Sequence, residues 1–208
     1  MNRNKTQYMA VMALFLAIEV VLVLTPLVYI QLGVINATTM HIPVLIAGIA
    51  LGKKAGAQLG FVFGLTSLLN ATFRPGPTSF IFSPFITIGG VSGNFSSILI
   101  ALIPRILVGF LAGLIFEQLQ KHKANQNLSI ASAAIVGTLT NTVLVLAGIY
   151  IFFGPQYAQV AGVSYEALLG VLAAIITTNG IGEVFLGTLV SLVVCRAIAP
   201  IVKKLKKA

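Results

Sequence analysis

Long apolar runs dominate this sequence and constrain its fold more than any other feature. Of the 208 residues, 58% are hydrophobic and only 8% are charged, whereas soluble domains carry about 25% charged residues. A run of about 20 apolar residues is long enough to cross a bilayer as a helix. The sequence therefore predicts an all-α integral membrane protein, with one domain over residues 1–208.

Six apolar segments are predicted to form transmembrane helices. Their approximate bounds are residues 7–25, 40–51, 55–71, 95–118, 130–153 and 168–198. The second segment is short and has Pro43 near its start, which favours a broken or partly re-entrant helix. We therefore expect a compact bundle of six transmembrane helices.

The positive charges predict the orientation of this bundle. If the N-terminus is inside, six alternating crossings place most of the basic residues on one side: Arg3, Lys5, Lys53, Lys54, Lys121, Lys123 and the "KKLKK" tail. The loops on the other side contain one basic residue, Arg74. Because cytoplasmic loops are enriched in Lys and Arg, both termini are predicted to be cytoplasmic, in a bacterial plasma membrane. The net charge of +9 is thereby explained by topology and does not indicate nucleic-acid binding.

The two long loops on the outer side are unusual in composition. Residues 26–39 and 73–94 are rich in Gly, Pro, Ser and aromatic residues, yet they remain apolar. A solvated linker would be polar, and long loops in compact proteins are often functional. We expect these extracellular loops to fold over the bundle as a lid, with a re-entrant hairpin that plugs the bundle as the alternative.

Several polar residues lie inside the apolar segments. Arg105 lies within "ALIPRILVGFLAG", Asn141 falls near the middle of the fifth segment, and Asn179 and Glu183 stand at positions i and i+4 of the sixth. A charge in hydrocarbon costs at least roughly 2.5–3.5 kcal/mol, so such groups face the bundle interior or a cavity. We predict a polar pocket that opens outward, in which Arg105 anchors an anion. A structural ion pair between Arg105 and Glu183 is the alternative.

Further candidates lie at the outer ends of the segments and in the second outer loop. His41 begins the second segment, Asn70 ends the third, and Arg74 and Ser79 lie in the loop that follows. The complete predicted substrate-binding set is His41, Asn70, Arg74, Ser79, Arg105, Asn141, Asn179 and Glu183. Glu19, in the outer half of the first segment, is expected to be an interfacial or loop-packing residue.

The residues of known catalytic and nucleotide-binding motifs do not occur together in this chain. The single cysteine and the spacing of His41 and His122 do not suit a metal site. The chain has no Asp, which disfavours Mg²⁺-dependent phosphoryl chemistry, and it has no Gly-x-x-x-x-Gly-Lys-Ser/Thr loop. The sequence predicts a protein that is not an enzyme and has no ATPase site, metal or cofactor of its own.

Small residues recur at helical spacing. Ala10, Ala13 and Ala17 lie close together along the first segment, and glycines repeat every four residues in the third and fourth. Such faces allow close approach of helix backbones in a membrane. We expect the glycines to serve internal packing. For the alanines, docking of a partner protein and internal packing both remain open.

These features together resemble the S components of energy-coupling factor (ECF) vitamin transporters. The stretches "HIPVLIAGIALGKKAGAQLGFVFGLTSLLNAT", "SFIFSPF", "IPRILVGFLAG" and "GTLTNTVLVL" are similar to the pantothenate-type branch. The resemblance implies a subunit that captures a vitamin beneath its outer loops and associates with a transmembrane T protein and two ATPases. It also implies that Ala13 and Ala17 lie against the T protein, and that ATP hydrolysis in the partners drives reorientation of the subunit.

The residue types favour pantothenate among the vitamins. The fork of an arginine suits a carboxylate, and the two asparagines can meet amide and hydroxyl groups. Trp is absent, which gives little sign of a platform for a flavin or pterin. Phe80, Phe82 and Phe85 could still stack on a ring, so pyridoxine and a hydroxymethylpyrimidine are alternatives. For the class of protein, a stand-alone secondary transporter with Glu183 as the proton-coupling carboxylate is a further alternative.

Overall fold

The computed structural model describes residues 3–25, 29–32 and 35–207. The helices in this part of the chain are α1 (Arg3–Leu24), α2 (His41–Leu51), α3 (Lys53–Phe73), α4 (Phe95–Lys121), α5 (Gln126–Ala161), α6 (Tyr165–Ile175) and α7 (Ile181–Lys207). A turn of π-helix, Ile176–Gly180, joins α6 to α7. The strands form two antiparallel hairpins, β1 (Tyr29–Leu32) with β2 (Ile35–Thr38) and β3 (Thr87–Ile88) with β4 (Val91–Ser92).

A helix lies at each of the six predicted apolar segments, and the sixth segment comprises α6, the π-turn and α7. Within the described ranges, four stretches are long and apolar enough to cross a membrane: Thr6–Leu24, Phe95–Lys121, Gln126–Ala161 and Tyr165–Val202. Helix α2, with 11 residues, is too short to span a bilayer by itself. The chain is a multi-pass helical membrane protein, while the count of six crossings and the side of the termini remain predictions.

Helix α2 lies at the centre of the bundle. All of its residues from His41 to Ala50 are buried, and it packs against α3, α4, α5 and α7. It ends at Gly52, whose φ of 104° favours glycine because a Cβ would be strained there. Helix α3 begins at the next residue, so the second and third segments are two helices separated by a sharp break.

Glycines bring α3 and α4 into close contact, as the sequence predicted. A Cβ added to Gly109 would overlap the backbone of Gly56, and one added to Gly60 would overlap the backbone of Arg105. Since larger side chains would force the two helices apart, these glycines set the position of α4 relative to α3. That position matters because α4 carries Arg105.

The second outer loop packs on the bundle. Phe80 and Ile81 are fully buried, and the ring of Phe80 meets the ring of Phe153 edge-on with centroids 5.7 Å apart. The hydroxyl of Ser97, in the first turn of α4, donates a hydrogen bond to the carbonyl of Phe80 (2.7 Å). The prediction that this loop folds onto the protein is confirmed.

The first outer loop is described in part. Its hairpin strand β2 contacts α7 and the π-turn, while residues 26–28 and 33–34 lie outside the described part of the chain. The hairpin therefore lies beside the π-turn that carries Asn179, next to the start of α7 where Glu183 lies.

Glu19, which was expected to be an interfacial or loop-packing residue, is not exposed at the surface of the bundle, while its packing against a loop stays a prediction. Its side chain is fully buried. The reason is its phase on α1: Phe15, four residues earlier, is also buried in the core, and positions i and i+4 share one face of a helix. Glu19 therefore points inward with Phe15.

Candidate functional site

A cavity of about 320 Å³ lies between helices of the bundle. Its walls come from α3, α4, α5, α6, the π-turn and α7, through Phe63, Ser67, Arg105, Asn141, Thr142, Val145, Leu146, Ile175, Asn179 and Glu183. Ligand pockets commonly measure roughly 300–1,000 Å³, so this cavity suits a small metabolite. Four of the predicted site residues, Arg105, Asn141, Asn179 and Glu183, line it together.

Arg105 is held by a hydrogen bond that depends on the proline before it. In a regular helix the amide of residue 104 would donate to the carbonyl of Ile100, but Pro104 has no N–H. The Nη1 of Arg105 donates to that carbonyl at 2.7 Å. The "IPR" motif thus leaves one backbone acceptor open and fills it with the guanidinium, which fixes the arginine against the cavity wall.

Two aromatic rings also contact the guanidinium of Arg105. Its Cζ lies 4.9 Å from the centroid of the Phe82 ring and 5.6 Å from that of Phe63. Cations within about 6 Å of a ring centroid are attracted by the ring quadrupole, which offsets part of the cost of burying the charge. Phe82 belongs to the second outer loop, so this contact joins the loop to the cavity.

Glu183, near the start of α7, contributes a carboxylate to the cavity. Its Oε2 accepts a hydrogen bond from the Thr142 hydroxyl at 3.5 Å, and both side chains are buried. Asn141, adjacent to Thr142 on α5, has a buried Oδ1 with no hydrogen-bond partner in the described part of the chain. Because a buried polar atom without a partner is costly, Asn141 is suited to accept a hydrogen bond from a ligand.

Asn179 lies in the π-turn between α6 and α7. Such turns are frequent at functional sites because they displace side chains from the regular helical positions. Here the turn still leaves Asn179 and Glu183 facing one cavity, as their spacing predicted.

The other four predicted residues do not line this cavity. His41 is buried deeper in the bundle, where its Nε2 and the Thr138 hydroxyl both lie 3.2 Å from the position of a Cβ on Gly187. Asn70 and Arg74 are exposed at the end of α3. Ser79 is buried, and its hydroxyl accepts a hydrogen bond from the amide of Gly76 (2.9 Å) within the loop. A role for these residues in binding stays a prediction.

Several site residues were not predicted from the sequence. Phe63 and Ser67 stand at i and i+4 on α3, and Val145 and Leu146 follow the predicted asparagine on α5. Only their helical spacing could have indicated them, because nothing in their chemistry separates them from other apolar or small residues of the spans.

The geometry defines the class of protein. A multi-pass helical bundle encloses a small cavity in which a fixed cation, a carboxylate and amides face apolar walls, and loops pack over the same region. Cavities with a few convergent polar groups on apolar walls are typical binding sites for small molecules. The arrangement is that of a candidate binding site for a small polar molecule within a membrane protein.

Sequence comparison identifies the family. The family described as "ECF transporter, substrate-specific component" matches residues 7–195. A protein named pantothenic acid transporter PanT, from Lactococcus lactis subsp. cremoris, is 40% identical over 207 residues, covering 98% of this chain and 97% of that protein. Pantothenate transporter PanT of Leuconostoc mesenteroides is 31% identical over 211 residues, with 98% of both chains covered. The chain belongs to the family of ECF transporter substrate-specific components, which are transport proteins and not enzymes.

Proposed function

We propose that this chain is the subunit that captures pantothenate for an ECF-type importer. The observation that carries the proposal is the buried, fixed guanidinium of Arg105 in a cavity shared with Asn141, Asn179 and Glu183. The names of the two relatives at 40% and 31% identity support the same substrate.

The chemistry of the cavity matches the groups of pantothenate. Its carboxylate pairs with the Arg105 guanidinium through charge-assisted hydrogen bonds. The Oδ1 of Asn141 accepts from the amide N–H or a hydroxyl, and the carboxylate of Glu183 accepts from a hydroxyl. Val145, Leu146 and Ile175 line the cavity with apolar surface for the methyl groups of the ligand.

Transport requires partners, and we propose those implied by the family. The chain would cross the membrane six times with both termini in the cytoplasm, bind pantothenate from the outside, and assemble with a T protein and two ATPases. Hydrolysis of ATP by those ATPases would then drive reorientation and release inside.

The rings that could bind an aromatic vitamin are already engaged or face away. Phe80 is buried against Phe153, Phe82 contacts Arg105, and Phe85 is 76% exposed. A stacked pyridoxine or hydroxymethylpyrimidine would therefore require rearrangement of this loop, whereas a flexible carboxylate would not.

Titration of the purified chain with vitamins tests the proposal. We expect saturable binding of pantothenate and at least roughly 30-fold weaker binding of its alcohol analogue, in which a hydroxymethyl group replaces the carboxylate, because the analogue leaves the Arg105 charge without its ligand. Equal affinity for the two compounds, or tighter binding of pyridoxine, would contradict it.

Uptake by cells that lack the T protein, or that are treated with an uncoupler, separates the ECF subunit from a proton-coupled transporter.

Phe82→Leu is expected to weaken pantothenate binding by about 2- to 30-fold. The change removes a cation–π contact worth about 0.5–2 kcal/mol and frees the loop from the guanidinium, so we expect most of the loss in the dissociation rate. Stopped-flow binding measures it. Phe85→Leu is the matched control on the same loop, since Phe85 is exposed; equal losses in the two variants would refute the role of Phe82.

A further inference from the structure

A second pocket lies at the opposite end of the bundle from the cavity that contains Arg105 and Glu183. It measures about 350 Å³ and is lined by Ile49, Ala50, Phe116, Gln120, Gln126, Ile130, Cys195, Ala199 and Val202. These residues come from the last turns of α2 and α4, the first turns of α5 and the C-terminal half of α7. Gln120 and Gln126 flank the short loop of residues 122–125 that joins α4 to α5, and the positive charges predict that this loop is cytoplasmic. In the proposed topology the pocket is therefore at the depth of the inner-leaflet interface.

The lining changes from apolar inside to polar at the surface. Ala50, Ile130 and Cys195 are buried, whereas the amide side chains of Gln120 and Gln126 are exposed. An apolar pocket with a polar mouth at this depth suits a molecule that has a hydrocarbon body and a polar head.

Two exposed basic residues directly follow lining residues of the pocket in the sequence. Arg196 follows Cys195, and its Nε donates to the Oδ1 of Asn127 on α5 (2.7 Å), which places its exposed guanidinium between α7 and α5. Lys121 follows Gln120 at the end of α4 and is exposed. Glu117 lies at the same end and forms a salt bridge with Lys53 (3.6 Å), so a local positive balance remains.

We propose that this pocket binds an anionic phospholipid of the cytoplasmic leaflet, with an acyl chain among the apolar residues and the phosphate at Arg196 and Lys121. Basic pockets between transmembrane helices on the cytoplasmic side bind anionic head groups, and buried methylene groups add to the binding. Two exposed basic groups correspond to a preference of roughly 30-fold for anionic over zwitterionic lipid. The site is separate from the cavity that contains Arg105; it rests on the proposed topology and not on the identity of the vitamin.

Native mass spectrometry of the full chain, released from nanodiscs of mixed phosphatidylglycerol and phosphatidylcholine, tests the proposal. We expect wild type to retain phosphatidylglycerol, Ala199→Phe to lose it because the ring fills the pocket, and Arg196→Gln to lose most of the preference. Ala197→Phe is the matched control, because Ala197 is exposed on the same helix. Retention by Ala199→Phe equal to that of Ala197→Phe would overturn the proposal, and so would equal retention of the two lipids.

Cys195 provides a second readout within the pocket. It is the chain's single cysteine, so alkylation by a membrane-permeant maleimide reports on this site alone. We expect slower labelling in phosphatidylglycerol nanodiscs than in phosphatidylcholine nanodiscs. If slower labelling instead requires the T protein and ATPases and is independent of the lipid, a protein occupies the pocket and the proposal fails.

Discussion

Replacing Arg105 by alanine is expected to lower the affinity for pantothenate by roughly 30- to 5,000-fold, so that high-affinity binding is lost. Truncating one partner of a buried, hydrogen-bonded charge pair costs about 2–5 kcal/mol, and each 1.4 kcal/mol is a factor of ten. The Arg105→Ala variant loses the guanidinium donors that would bind the carboxylate, the hydrogen bond to Ile100 and both ring contacts. Isothermal titration of the purified protein measures it. Lys54→Ala, which removes an exposed cation outside the cavity, is the control and should bind normally.

The same variant distinguishes ligand binding from a purely structural ion pair. If Arg105 serves the ligand, Arg105→Ala remains folded with a near-normal melting temperature. If it only balances Glu183, then Arg105→Ala and Glu183→Gln destabilise the protein to a similar extent. Thermal unfolding of both variants without ligand decides between these outcomes. Loss of the fold together with the loss of binding would contradict the assignment of Arg105 as the anion anchor.

The arrangement of Pro104 and Arg105 shows why this variant has such a large expected effect. A free arginine side chain would lose much of its rotamer entropy when it binds a ligand. The open carbonyl of Ile100 and the rings of Phe63 and Phe82 have already ordered Arg105 in the absence of ligand. Binding of a carboxylate at Arg105 would therefore use a preorganised cation, which reduces the entropic cost of association.

Much of the fold could be predicted from the sequence because apolar length and basic loops are local signals. The helices lie at the predicted segments, and the break between α2 and α3 falls at Gly52, beside the two lysines that separate the second and third segments. The extents of α5 and of α6 with α7 were underestimated. Their added turns at the outer end are less apolar, and packing such as the stacking of Tyr150 on Tyr165 (5.6 Å) stabilises them.

The site was predicted only as far as burial of polar groups could indicate it. Arg105, Asn141, Asn179 and Glu183 are polar residues inside apolar spans, and that property alone brings them to the interior. His41 has the same property but lies deeper, against Gly187. Depth along the bundle depends on how α2 is placed between α5 and α7, which no local pattern specifies.

Contacts across loops could not be predicted from the sequence. Phe82 was expected only as a possible ring for stacking, and its contact with Arg105 depends on how the loop folds onto α4. Glu19 illustrates the same limit in another way. Its isolated position gave no neighbour to argue from, and its burial follows from which face of α1 meets the core.

Helix α1 presents a face that suits a partner helix. Only 11% of the most apolar 18-residue stretch of α1 is buried, against 44% of the corresponding stretch of α4. Ala10, Ala13 and Ala17 are all exposed. An apolar groove of about 550 Å³ lies beside this face, and it is lined by Met12, Leu16, Ala57, Gln58, Phe61, Val62 and Ile106. Small exposed residues next to an apolar groove allow close approach of another helix, and internal packing does not explain alanines that are exposed.

Ala13→Trp is therefore expected to abolish assembly with the T protein while leaving pantothenate affinity unchanged. The indole would occupy the space that a partner backbone needs, and the cavity that contains Arg105 draws no residue from α1. Co-purification with the T protein and ATPases measures assembly, and titration measures binding in the same preparation. Ile18→Trp is the matched control, because Ile18 is also exposed but lies about 100° around the helix from Ala17. If Ala13→Trp co-purifies as well as Ile18→Trp, the alanine face is not the docking surface. If both lose assembly, α1 docks through a wider surface than the alanines define.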